Sequence, residues 1–159
     1  NILYHQPYHV PTHRTLPKKQ IDSFVGAYRL MPDLTLYVSA EKDHLVVQAS
    51  NQAPTHLFTE GPNQFYVDEI DGLVSFIKNA RGMADTLLLN QQGRRIVAPR
   101  ITATWGVVGS ATSNGWNGPD VPLEERKPGL WTLDRLTLRE GEIKFRFNND
   151  WTFNVGRDA

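Results

Sequence analysis

The chain has 159 residues, with 17 basic and 17 acidic side chains, 10 prolines, 12 glycines and no cysteine, long enough for one ample domain or for one domain and a small second one. Its charges balance without runs of one sign, which argues against nucleic acid or an anionic membrane surface as partner. The missing cysteines exclude disulfides, thiolate metal sites and a cysteine nucleophile.

No apolar stretch reaches transmembrane length, and the opening residues lack the basic and then hydrophobic order of a signal peptide. The chain therefore reads as a soluble, mature or excised piece. Residues 1–19 carry Pro7, Pro11 and Pro17, which fix the backbone and remove donors, so an extended arm or linker is expected there. His5, His9 and His13 have the spacing that would align three imidazoles on a helix, but Pro7 and Pro11 forbid that helix. His44, beside a turn, and His56, before a strand, have no second ligand at ligand spacing and read as surface residues. No metal or cofactor is expected.

From Phe24 onward the apolar pattern has period two: Leu34, Leu36 and Val38 alternate with Thr35, Tyr37 and Ser39. Turn signals recur at 41–43, 51–54, 61–63, 71–72, 79–82 and 93. Between them strands are predicted over 24–30, 34–39, 45–49, 57–60, 64–67, 73–78, 86–90 and 96–101. Short antiparallel strands on tight turns predict a meander over residues 20–101 closed into a small barrel, since closure removes exposed edges.

Near Arg100 the composition changes. All four tryptophans follow it, and 110–128 is a loop rich in Gly, Asn, Ser and Pro, so a second unit is expected over 102–159. Its strands are predicted over 104–108, 130–138, 142–148 and 151–155. Within 142–148, Ile143, Phe145 and Phe147 fall on one face with Lys144 and Arg146 on the other, so Lys144 points away from the core. Along 130–138 the apolar spacing slips, as one extra residue in a bulge would produce.

Catalytic patterns are weak. Ser39-Ala40-Glu41-Lys42 matches the S-x-x-K signature but runs off a strand into a turn, and its companion motifs are absent. Asp68, Glu69, Asp71, Glu124 and Glu125 sit by turns and read as solvated loop charges rather than an opposed acid pair. Trp105 and Trp131 lie on strands among aliphatics and are expected in the core. Trp116, set among Asn114, Gly115, Asn117 and Gly118, and Trp151, after the turn Asn148-Asn149-Asp150, are the candidates for stacking on a ligand. Flat rings beside Lys144 and asparagine amides suit the alternating apolar and hydroxylated faces of a hexose.

Two resemblances cover almost the whole chain. The stretch with F-V-G-x-Y at Phe24 to Tyr28, the Leu-Thr-Leu strand, LFTEGPNQFYV and L-L-N-Q-Q-G before Pro99-Arg100 resembles a β domain of unknown function that follows the catalytic domain in β-lactamase-like (penicillin-binding-type) serine hydrolases. This implies a lipocalin-like antiparallel barrel attached to a hydrolase whose catalytic motifs lie upstream. The stretch from TWGVVGSATSNGWNGPD to EGEIKFRFNNDWTFNVG is similar to the repeated domain of the SusE and SusF outer-membrane starch-binding lipoproteins, and to glycogen-binding modules. That likeness implies a small Ig-like β-sandwich, truncated relative to those domains, with Trp116, Lys144, Trp151 and Asn154 as sugar contacts. The expectation is an all-β, non-catalytic fragment at a Gram-negative envelope, in the periplasm or on the outer-membrane surface, that binds an oligosaccharide or α-glucan. The alternative is a structural accessory that docks on the upstream serine hydrolase and has no ligand of its own.

Overall fold

The computed structural model describes residues 14–156; His5, His9 and His13 lie outside the described residues. Among the described residues the fold is all-β apart from one short helix and a single 3-10 turn. Eight strands run in chain order around a closed antiparallel barrel: β1 Gly26–Met31, β2 Leu34–Glu41, β3 His44–Ala49, β4 Thr55–Gly61, β5 Gln64–Val67, β6 Gly72–Lys78, β7 Ala84–Gln91 and β8 Arg94–Ile101. Pairing of Ala27 with Ile101 and of Tyr28 with Arg100 closes the ring. Each of the eight strands predicted from period two is present. The tight turns place Lys42, Asn51, Asp71 and Gln92 at positive φ, as short connections between twisted strands demand.

Alternation sends Val38, Leu45, Val47, Leu57, Leu87 and their counterparts inward to form the principal core. One end of the barrel is shut by α1, Lys18–Phe24, which the sequence reading missed and which takes residues 18–19 out of the expected arm. Ile21 and Phe24, three residues apart on this helix, turn into the barrel. There Phe24 stacks on Phe76 at 4.6 Å and meets Phe65 edge-on at 5.5 Å. The other end is a shallow mouth.

Arg100 ties the closed end together. Its guanidinium donates to the carbonyls of Ala84, Val25 and Ser23 and to the Tyr28 hydroxyl, while lying 5.1 Å from the Tyr28 ring centroid. Tyr28 in turn donates to the Phe24 carbonyl at 2.7 Å. Gly26, at φ 154°, passes so close that a Cβ would run into the guanidinium. Helix α1, the segment Phe24 to Tyr28 and Arg100 thus form one packed unit.

Beyond the barrel, smaller antiparallel sheets follow. A four-stranded sheet has the order β10 (Val121–Pro122), β9 (Trp105–Val108), β13 (Lys144–Phe147), β14 (Asp150–Val155), and a hairpin pairs β11 (Glu124–Lys127) with β12 (Leu130–Thr132). Trp105, Phe147 and Phe153 form a second core that is completed by Ala27 and Tyr37 of the barrel wall, with Trp131 and Leu123 packed alongside. The core placement expected for Trp105 holds, whereas Trp131 is half-buried at the edge of this cluster.

Two expectations here need correction. The strand predicted over 130–138 ends at Thr132, because its partner β11 offers only four residues; Asp134 turns instead to Arg126 at 2.8 Å. Strands β10 and β11 lie inside what was read as loop. β10 is only two residues long, Val121–Pro122, and β11 consists of charged, exposed side chains, so neither carries an apolar alternation and only cross-strand pairing reveals them.

Candidate functional site

The outward side of β13 is not solvent. Gly109 to Asp120 folds back over it, held by Thr112, whose hydroxyl donates to the Gly109 carbonyl at 2.8 Å, and by a bridge between Gly109 and Gly115. Arg146 lies on the same side of β13 as Lys144, as expected, yet its side chain is only 8% exposed. It forms a forked ion pair with Asp120, Nε donating to one carboxylate oxygen at 2.8 Å and Nη2 to the other, and Asp120 is 2% exposed. Gly106 makes room: a Cβ there would lie 2.6 Å from the Asp120 Cβ. The Asp120 carboxylate holds the Arg146 guanidinium even more firmly protonated than usual.

This ion pair supports the tryptophans. The Arg146 guanidinium sits 4.6 Å from the Trp151 ring centroid, in cation–π geometry. Trp116, half-buried on the folded-back loop, meets Trp151 with ring centroids 5.9 Å apart and planes inclined at 43°. Trp151 stays 44% exposed. Two residues separated by thirty-five positions in sequence therefore share one surface, with one side of Trp151 braced from behind.

Strict alternation along β14 would send Trp151 to the same face as Phe153, which is buried in the second core. A register irregularity prevents this. Arg146 pairs with Asn154 while its neighbour Phe147 pairs with Asp150, so β14 advances four residues where β13 advances one. The extra residues swing Trp151 round to the Arg146 side. Asn154 helps to hold the distortion, its amide donating to the Trp151 carbonyl at 2.8 Å.

The four predicted contacts thus have different situations. Trp116 and Trp151 are brought together. Asn154 pairs across from Arg146 and serves the Trp151 backbone. Lys144 lies half-buried along the same strand face, its stem packed against Gly156, where a Cβ would meet Cγ at 2.8 Å. Other asparagines are structural: Asn148 and Asn149 make the hairpin turn at positive φ, and the Asn148 side chain accepts from the Thr104 N–H and hydroxyl at 2.9 and 2.8 Å. Asn114 donates to the Pro119 carbonyl at 2.8 Å.

Sequence reasoning missed Asp120 and Arg146 as the base of this site. The only signal was an aspartate after Gly118-Pro119 together with an arginine one turn of the pleat beyond Lys144. Phe145 also departs from expectation: although on the Phe147 face, it is 38% exposed, at the rim of a shallow depression shared with Leu130 and Val155.

The barrel mouth is also concave, a cavity of about 270 Å³ lined by Leu36, Val47, Val67, Val74, Leu89 and Ile96 among others, with no charged residue in its lining. Its walls are mainly apolar, with Gln52, Thr55 and Gln91 as the polar side chains among them. No family model matches the chain, and no curated protein matches it.

Proposed function

We propose that the chain is a non-catalytic binding module whose Trp116–Trp151 surface stacks on an oligosaccharide, with an α-glucan as the class of ligand. The observation that carries this reading is the exposed Trp151 ring, set beside Trp116 and backed by the Arg146–Asp120 pair. A tryptophan swung out of a nearby aromatic core by a strand irregularity, and then braced from below, is preorganised for stacking. The inclined pair suits the curvature of an α-linked chain better than a flat ribbon. Lys144 supplies hydroxyl contacts from the same strand face, and Asn154 positions Trp151. Affinity is weak, because an open platform orders little of a flexible sugar chain.

A second reading is docking on an upstream serine hydrolase domain. It is favoured by the apolar strip of Leu130, Phe145 and Val155, which are 43%, 38% and 53% exposed.

Titration of intrinsic tryptophan fluorescence with maltoheptaose tests the first reading. A saturable change that Trp151→Ala abolishes and Trp116→Ala weakens at least tenfold is the expected result. No change at high millimolar sugar would remove the glucan reading and leave docking as the better account.

A further inference from the structure

On the barrel exterior, far in sequence from the tryptophans, the fold assembles Glu41, His44 and His56. In sequence neither histidine has a companion at ligand spacing, because the three residues come from three different strands. Glu41 and His44 are direct cross-strand partners at the end of the β2–β3 hairpin, and His56 on β4 pairs with Val46, two residues from His44. Leu45, Val47 and Leu57 point into the core, so alternation turns His44 and His56 outward. The two imidazole rings lie 4.9 Å apart, and one donor atom from each of the three residues falls within 4.8 Å of the others.

We propose that Glu41, His44 and His56 bind a divalent transition ion of the zinc class. Two imidazoles and one carboxylate are borderline nitrogen and oxygen donors, which suit such ions and not calcium or magnesium. Tetrahedral zinc with bonds of about 2.0–2.1 Å places its donors roughly 3.3 Å apart. The present spacing closes to that value by side-chain rotation alone, because the strand ladder already fixes the backbone beneath.

An outer partner is in place. Asp43 Oδ1 lies 3.3 Å from His44 Nδ1, the arrangement in which a carboxylate orients an imidazole and leaves Nε2 for a metal. Asp43 is itself held by the Thr15 hydroxyl at 3.2 Å, and its carbonyl accepts from the Leu16 N–H at 3.3 Å. Three protein donors leave a further coordination position, which takes water on the side of the exposed Glu41. Such an ion clips together three strands at the end of the barrel that α1 closes.

The test is calorimetric titration of the metal-stripped full chain with zinc chloride, alongside cobalt(II) absorption to read the donor geometry. One equivalent is expected, with tetrahedral cobalt bands. His44→Ala and His56→Ala should each lower affinity at least tenfold, Glu41→Gln should weaken it, and Asp43→Asn should cost about tenfold through loss of orientation. Circular dichroism of each variant confirms that it folds. A chain with His5, His9 and His13 all changed to alanine should bind as before. Absence of saturable zinc binding would overturn the proposal, as would binding lost with those three histidines yet unaffected by His44→Ala and His56→Ala.

Discussion

At the scale of single residues, the paired charge beneath the tryptophans is where stability and the candidate site meet. Arg146 and Asp120 are both nearly excluded from solvent, so removing one partner leaves the other charged and uncompensated. Asp120→Asn should cost about 3 kcal/mol in urea unfolding. It should also shift the tryptophan emission, because the guanidinium that braces Trp151 loses its anchor. A loss below about 1 kcal/mol would mean that the pair is screened as a surface bridge is. Tyr28 gives a second residue-scale expectation. Burial pushes its hydroxyl well above the ordinary tyrosine range, with Arg100 opposing in part. A raised folded-state value means that the native protein holds the proton more tightly than the unfolded chain. The stability this confers is therefore whole below about pH 10 and is lost as pH rises beyond it, at up to about 1.4 kcal/mol per pH unit. Tyr28→Phe should flatten the alkaline slope of unfolding midpoints measured from about pH 9 to 11, whatever it does to stability at neutral pH. Burial also raises Tyr37, so a residual slope is expected. An unchanged slope would assign the alkaline loss to other groups.

At the scale of elements, the barrel was legible because, although β3, β5 and β7 each carry three consecutive buried residues, strands such as β2 and β6 are half-buried. One face meets the core and the other meets water or light cover, so period two is written directly into the residues, and left-handed turn positions such as Asn51 and Gly93 mark the ends. Helix α1 was not legible for the opposite reason. Lys18–Phe24 is seven residues long and shows the core only Ile21 and Phe24, too few repeats for a helical period to stand out. Its local support, a Lys18–Asp22 ion pair at 2.6 Å, is ordinary for an exposed helix and marks nothing by itself. The candidate site was legible in part. Trp116 and Trp151 stood out by their polar surroundings, whereas the irregularity that puts Trp151 beside Arg146 depends on the register between β13 and β14 and has no counterpart in composition. The histidine and glutamate cluster was hidden in the same way, since cross-strand neighbours need not be near in sequence.

At the scale of the whole molecule, the question is whether the smaller sheets are independent of the barrel. Their aromatic core is shared. Tyr37, on the outer face of β2, lies 5.7 Å from Trp105, 6.0 Å from Phe147 and 5.9 Å from Phe153 by ring centroids, and Ala27 of β1 is fully buried in the same cluster. A unit of under sixty residues buries too little of its own surface to offset chain entropy comfortably, and this one draws part of its core from its neighbour. The connection through Thr102 and Thr104 is held as well, by the Asn148 side chain. Residues 102–159 alone should therefore remain unfolded, without near-ultraviolet circular dichroism or dispersed amide resonances. Residues 1–101 should fold, with a lowered midpoint, because the principal core lies within the barrel and the cover lost is confined to a few side chains on its wall, among them Tyr37, Ala27 and Ile101. The contact itself is separable from chain length by a double-mutant cycle: Tyr37→Ala and Phe147→Ala should couple by about 1 kcal/mol. Dispersed spectra from 102–159, together with zero coupling between Tyr37 and Phe147, would make the smaller sheets a self-sufficient domain resting on the barrel and not completed by it.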